Sequence, residues 1–273
     1  MGHKYQIYLI SDSTGETLDR IFLALKSQFA DFSYSKKEFV FVRTKQQIDK
    51  IIEECEKLEN SIILYTIVET ALAKYITLKS NEKNIPCFGI LGELILNFSK
   101  LLNQKATHTP SAQHVLDDGY YKRIDAIQFT MAHDDGKKTG DIKNADIILL
   151  GVSRTSKTPT SIYLANRGYK TINIPLVPNQ EIPDVLKNFP EQYCVVGLYL
   201  DPERLSDIRR NRVVIMNETR LQTYTELKYI KQEVQGAKNL YKKYNWPVID
   251  VTRKSVEETA ASIIKIYDIK NNK

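Results

Sequence analysis
An alternation of two kinds of segment is what most narrows the fold of this chain. Short apolar runs suited to buried strands are each followed by stretches whose apolar residues recur every three or four positions, the spacing of an amphipathic helix. Tyr5–Ile10 reads as a strand; Leu18, Ile21, Phe22, Leu25 and Phe29 read as the inner face of the next helix, capped by Ser13 or Thr14. Phe39–Val42 and Ser61–Val68 are the next strands, with helices at Lys45–Lys57 and Glu69–Lys79. Pro86–Leu91 then leads into a helix ending near Leu102. Asn103–Gly119, rich in Thr, His, Ser, Pro and Asp, breaks the pattern and reads as a linker, followed by helical spacing from Tyr120 to His133. Strands at Ile147–Leu150, Tyr169–Leu176, Tyr193–Leu200 and Trp246–Val251 alternate with further helices, the longest from about Thr219 to Lys243. Repeated strand–helix alternation is the pattern of a parallel sheet wrapped on both faces. The expected class is α/β: an N-terminal parallel-sheet domain at 1–103, a linker and connecting helix at 104–140, and a second α/β domain at 141–273.

The second domain opens on Ala145-Asp-Ile-Ile-Leu-Leu-Gly-Val-Ser-Arg-Thr-Ser-Lys-Thr-Pro-Thr-Ser161. A buried strand runs into the turn Gly151, Val152, Ser153, Arg154, Thr155, Ser156, Lys157 and Thr158. Pro159 follows in the first turn of a helix, where its missing N–H costs nothing. This is the design of a phosphate cradle. Loop amides and the helix N-terminus meet the anion, Lys157 adds a point charge, and the Thr158 hydroxyl suits a Mg2+ ligand. The octet is one residue from the Walker A pattern, with Ser156 where glycine is expected. Left-handed backbone at a serine costs on the order of 1 kcal/mol, which a bound phosphate offsets. Residues 141–273 are therefore read as a P-loop nucleotide-binding, kinase-like domain; the plain alternative is a β–α turn with a solvated lysine.

Three other stretches carry candidate chemistry. His133-Asp134-Asp135 stands on a polar turn running to Asp141, and either aspartate suits the base for a phosphoryl acceptor or the water shell of Mg2+. Ser11–Thr17 is a second hydroxyl-rich turn between strand and helix, fit to hold an anion or simply to cap the helix. Arg204, Arg209, Arg210 and Arg212 cluster on one helix, as a lid over phosphoryl groups or as a solvated face.

Composition excludes several classes. With 42% apolar and 26% charged residues the chain is globular, and a net charge of +6 is mild. No recognised nucleic-acid motif accompanies that charge, so nucleic acid is not an expected partner. Apolar runs fall short of a membrane span, and no signal peptide opens the chain. Cys55, Cys87 and Cys194 have no ligand-like spacing, so the expected compartment is reducing and cytoplasmic. Two readings stand on the residues alone: a phosphotransferase, or a non-catalytic nucleotide-sensing module.

Ile10-Ser-Asp-Ser-Thr-Gly-Glu-Thr17, Phe129-Thr-Met-Ala-His-Asp-Asp-Gly136 and the 145–161 stretch together resemble the pyruvate, phosphate dikinase regulatory proteins and the sibling regulators of phosphoenolpyruvate synthase. The resemblance runs from about Tyr5 to the last helix. It implies a bifunctional enzyme that acts on a protein. One activity is a serine/threonine kinase using ADP as donor, which phosphorylates a threonine beside the catalytic histidine of pyruvate, phosphate dikinase. The other is a phosphorylase that uses inorganic phosphate to remove that group and releases pyrophosphate. Phosphoenolpyruvate synthase is the alternative target. The resemblance makes Gly151–Thr158 the ADP site, Lys157 the kinase lysine, and Asp134 or Asp135 the helper in phosphorolysis. A homodimer is the expected assembly.

Overall fold
The computed structural model describes residues 4–112, 117–136, 141–178, 180–216 and 222–271. The chain divides into two compact units, Met1–Val115 and Leu116–Lys273. In the first, strands β1 (Tyr5–Ser11), β2 (Tyr34–Phe39), β3 (Ser61–Thr66) and β4 (Cys87–Gly89) pair in parallel in the order β2-β1-β3-β4. Helices α1 (Glu16–Lys26), α2 (Lys45–Glu56) and α3 (Thr70–Glu82) connect them, and α4 (Gly92–Leu102) follows. The chain steps from β1 to one side, then crosses back to β3, so right-handed connections put α1 on one face and α2 and α3 on the other. The cores agree with this. Ile7, Leu9, Leu18, Phe22 and Leu64 form one buried cluster; Tyr8, Ile10, Ile48, Ile51, Ile52, Ile63 and Ile76 belong to another. Successive β1 side chains feed opposite cores, which is why Ile7–Ile10 has no polar interruption.

Two local expectations are corrected here. The second strand is Tyr34–Phe39, not Phe39–Val42. It lies at the sheet edge, and its exposed Lys36, Lys37 and Glu38 both hide it from hydropathy and guard the open edge. The cap of α1 is Gly15 at φ 82, with no side-chain cap from Ser13 or Thr14, because the turn enters the helix through left-handed backbone.

In the second unit, β5 (Ile147–Gly151), β6 (Thr171–Pro175), β7 (Val195–Tyr199) and β8 (Val248–Asp250) are parallel in the order β6-β5-β7-β8, repeating the first sheet's topology. The helices are α5 (Asp118–Ala132), α6 (Lys157–Asn166), α7 (Asp184–Asn188), α8 (Pro202–Met216), α9 (Gln222–Thr225), α10 (Leu227–Lys243) and α11 (Val256–Asn271). Helix α5 packs on α6 and β6, and the Thr171 amide donates to Thr130 Oγ1 at 3.0 Å. The long helix expected from Thr219 is interrupted at Glu226, whose extended backbone starts α10; residues 217–221 lie outside the described residues. Strand β5 is wholly buried, which accounts for its unbroken Ile147–Leu150 run. Cys55 and Cys194 are buried free thiols, pushed by that burial up to about 12 and about 11. Among the described residues no helix is long and apolar enough to cross a membrane.

Helix α10 is locked to the sheet by Tyr241. Its hydroxyl donates to the carbonyl oxygens of Leu150 and Leu198, each at 3.2 Å, and burial holds its ionisation far above the usual tyrosine range. Gly197 lies under the ring, where a Cβ would come within 2.7 Å of it. Gly197→Ala is expected to destabilise the protein by about 1–3 kcal/mol through overpacking, and Tyr241→Phe by about 1 kcal/mol through loss of the shared donor. Urea midpoints of the two variants check both magnitudes and their order.

Candidate active site
The cradle sits at the carboxyl end of β5, beside β7. Connections leave these two strands in opposite directions, so a crevice opens between them, the general ligand position of open α/β sheets. Gly151 is required there: a Cβ would lie 2.5 Å from Thr155 Oγ1 and 2.9 Å from the Leu198 carbonyl oxygen. Thr155 is fully buried and donates its hydroxyl to the Val152 carbonyl at 2.9 Å, drawing the loop into a tight arc. Arg154 and Ser156 both have left-handed backbone, at φ 73 and φ 58. Ser156 thus adopts the conformation that the Walker pattern gives to glycine, and it contributes no side-chain cap to α6. The opening amides of that helix are left for an anion, and Pro159 as its third residue removes only a donor the helix does not use.

Lys157 is 5% exposed, and its ammonium donates to the Val152 carbonyl at 3.0 Å. Burial lowers it from 10.5 to about 8; Asp135 and Asp134 act against that fall, while Arg154 and Arg209 add to it.

The two aspartates of the His-Asp-Asp turn differ sharply in surroundings. Asp134 Oδ1 accepts from Thr158 Oγ1 at 3.0 Å and from Asn173 Nδ2 at 2.6 Å, and Asn173 Nδ2 also donates to Thr158 Oγ1 at 2.9 Å. Asn173 is 1% exposed, yet its Oδ1 has no hydrogen-bond partner. Asp135 is exposed. Left-handed backbone at Asp135 (φ 53) and Gly136 (φ 70) leaves only a 3.5 Å contact between its carboxylate and Asn173. Asp135 and Gly136 border a cavity of about 310 Å3 closed by Ile174, Pro175, Leu176 and Pro183. His133 is not part of this opening: it is 4% exposed, stacked on Phe129 and bonded to the Phe129 carbonyl and Asp141. Residues 137–140 of this turn lie outside the described residues.

The arginine cluster divides as well. Arg204, Arg210 and Arg212 are exposed, whereas Arg209 is 1% exposed. Its guanidinium donates to the Ser153 carbonyl at 3.3 Å, to Glu233 Oε2 at 2.7 Å and to the Tyr224 carbonyl at 3.1 Å, and lies 4.4 Å from the Tyr224 ring centroid. Arg209 is a strut beneath the cradle loop, not a lid above it. In the first unit, the Ser11–Thr17 turn occupies the matching position at the end of β1, bordering a cavity of about 240 Å3 with Thr66 and Ser111. There Ser11 Oγ accepts from the Ser13 amide, and Asp12 accepts from the Val68 amide.

The sequence profile of the kinase/pyrophosphorylase family matches residues 7–264. The chain belongs to that family. It is 62% identical over 272 residues, 100% of this chain and 99% of the other, to a Pelagibacter ubique (strain HTCC1062) protein provisionally named pyruvate, phosphate dikinase regulatory protein. A protein of Bradyrhizobium diazoefficiens with the same provisional name is 42% identical, covering 96% of this chain and 94% of its own. One from Sphingopyxis alaskensis is 43% identical, with 97% of each chain covered. Membership makes this chain a phosphotransferase.

Two residues that brace the cradle loop and its neighbouring turn were not legible in the sequence. Asn173 stands inside an apolar strand, where a lone buried amide is a weak signal with a meaning that only its neighbours disclose. Glu233 lies on α10, far along the chain from the loop that it steadies through Arg209. Arg209→Met is expected to destabilise the protein by about 3–5 kcal/mol, since it leaves Glu233 and the Ser153 and Tyr224 carbonyls without their cation. Removing the charge on both sides, with Arg209→Met and Glu233→Gln, is expected to recover part of that loss, as read by denaturant midpoints.

Proposed function
We propose that this protein is an ADP-dependent serine/threonine protein kinase and phosphate-dependent phosphorylase that inactivates and reactivates pyruvate, phosphate dikinase. The observation that carries the reading is the division of labour between the two aspartates beside the cradle. Asp134 is bonded to Thr158 and Asn173, whereas Asp135 is exposed on a cavity with its carboxylate available. The provisional names of the relatives support the choice of target. Phosphoenolpyruvate synthase is the alternative.

In the kinase direction the diphosphate of ADP lies in the Gly151–Thr158 loop, with amides of the α6 N-terminus and Lys157 around its oxygens. Asp135 takes the proton of the target threonine hydroxyl, the threonine oxygen attacks the β-phosphorus, and the bond to the α-phosphate oxygen breaks to release AMP. In the phosphorylase direction an oxygen of inorganic phosphate attacks the phosphorus of phosphothreonine. The bond to the threonine oxygen breaks, Asp135 passes to that oxygen the proton it takes from the attacking hydrogen phosphate, and pyrophosphate leaves. Both directions gather negative charge at one point, where a buried lysine acts with little screening by water.

Thr158, Asp134 and Asn173 would hold Mg2+ through hard oxygen donors, and the unpartnered buried Oδ1 of Asn173 fits that role. Among the described residues no group of three or more His, Cys, Asp or Glu is arranged to hold a metal ion by itself. When bound, Mg2+ supplies charge neutralisation at the transferring phosphoryl group.

Incubation with the dikinase and ADP should phosphorylate one threonine, and later addition of phosphate should reverse it with release of pyrophosphate. Absence of both on either target enzyme would leave the sensing-module reading. Asp135→Asn is expected to slow both directions by about 10²–10⁴-fold with ADP affinity little changed, and Asp134→Asn to raise the Mg2+ concentration needed. Lys157 carries its charge in the free protein below about 8 and loses it above. Pyrophosphate affinity, followed by calorimetry from pH 7 to about 9.5, should therefore fall with rising pH, and Lys157→Arg should flatten that fall.

A further inference from the structure
The cavity of about 310 Å3 at the end of β6 has no part in holding a diphosphate in the cradle. Asp135 and Gly136 form one border, Glu181 another, and Ile174, Pro175 and Pro183 belong to its walls. Two prolines, each with its backbone φ fixed by the ring, keep those walls stiff. The volume is at the bottom of the roughly 300–1,000 Å3 typical of small-molecule sites, which suits one side chain better than a whole cofactor. The cavity is tied to the chemistry through Asp135. Of the two carboxylates that oppose the burial-driven fall of Lys157, Asp135 acts the more strongly, so one carboxylate serves both the cradle lysine and this opening. A larger cavity on the α10 side of the cradle, of about 980 Å3, meets the loop at Val152 and shares Glu181 and Ile182 with the smaller one, but not Pro183.

Charge gives a second and separate sign. Glu181 shares the ammonium of Lys187 with Asp184, so one cation serves two carboxylates. Together with Asp135, this makes the mouth negative among the described residues. A mouth of that sign repels phosphate and nucleotide and attracts a cation or a hydrogen-bond donor. The apolar walls behind it match a hydrocarbon stem, and side chains that join such a stem to a polar head bury the one and present the other. Exposed apolar residues stand nearby in the chain: Met131 in the last turn of α5, 67% exposed, and Val177 directly after Leu176, 47% exposed. Side chains of that kind on both segments that frame the opening mark a surface covered by protein, and an inorganic anion would leave them bare.

We propose that this cavity is the specificity pocket for the acceptor protein, and that it takes a side chain flanking the target threonine, one with an apolar stem and a cationic or hydrogen-bond-donating head. The proposal rests on the reading of Asp135 as the base for that threonine and adds what selects the segment around it. With the threonine hydroxyl at Asp135, a neighbouring side chain of the same segment is within reach of the opening that Asp135 borders. Pro183 and Glu181 then act as specificity-determining residues, the first through the shape of the wall and the second through charge at the mouth.

Steady-state kinetics of the full chain, on whichever of the two target enzymes it phosphorylates, tests the assignment. KM is read separately for target and ADP in the kinase direction, and for phosphorylated target and inorganic phosphate in the other. Pro183→Phe fills this cavity and not the larger one, so the KM for target should rise about tenfold or more while that for ADP stays within about twofold. Glu181→Lys reverses the charge at an exposed side chain and carries the test if the larger substitution disturbs folding. It should raise the KM for target severalfold, whereas the KM for ADP, a polyanion, should hold or fall; general damage to the fold would not produce that divergence. In the phosphorylase direction both variants should raise the KM for phosphorylated target and leave that for inorganic phosphate unchanged. The assignment is overturned if neither variant alters the KM for target, or if the KM for ADP rises along with it. A rise confined to inorganic phosphate also overturns it, in favour of a phosphate site. If the native chain phosphorylates neither enzyme, the proposed function fails before any variant is compared, and the pocket assignment falls with it.

Discussion
Burial of the Lys157 ammonium at a strand-to-helix turn is the constraint around which the second unit is built. A cation taken from water needs oxygen around it, and the Val152 carbonyl, Asp134 and Asp135 provide that field. To bring those groups together, the loop must curl tightly enough to place Arg154 and Ser156 in left-handed backbone. Strain of that kind, on the order of 1–3 kcal/mol per residue, persists only where the surroundings hold it. Here they do so from below, through Thr155, Arg209 and Tyr224, and from beside, through Gly151 packed against the Leu198 carbonyl.

The same packing explains why helices far along the chain matter to a loop at residue 151. Tyr241 spans β5 and β7 just behind the cradle, and Glu233, two turns earlier on α10, neutralises the strut under Ser153. Helix α10 therefore fixes the floor of the site and one wall of the neighbouring cavity at once. A shift of that helix would move the loop, the strut and the cavity together.

The two sheets show how a shared topology serves different chemistry. In both, a hydroxyl-rich turn leaves the first-numbered strand at the place where the strand order reverses. In the second unit that turn carries a buried lysine and stands beside two aspartates. In the first it carries Asp12, held by the Val68 amide, and has no lysine. Equivalent positions in the fold thus differ in charge, and charge decides what each can hold.

Much of the architecture could be read directly from residue order. Buried parallel strands need apolar side chains on both faces, so β1, β3, β5 and β7 announced themselves, and the glycine, lysine and threonine of the cradle are demanded by local geometry and charge. The edge strand β2, the short helix α7 and the break at Glu226 were not legible, because each depends on what lies beside it and not on its own periodicity. The separation of Asp134 from Asp135 was equally out of reach: two adjacent carboxylates are alike in sequence. A left-handed turn and one buried amide, brought from β6, make one a bonded anchor and leave the other open. Sequence alone determined the alternating fold and the cradle, since both follow from neighbouring residues. Tertiary structure alone decided which aspartate is free, which arginine is buried and where a cavity remains, since those follow from distant segments that meet only when the sheet closes.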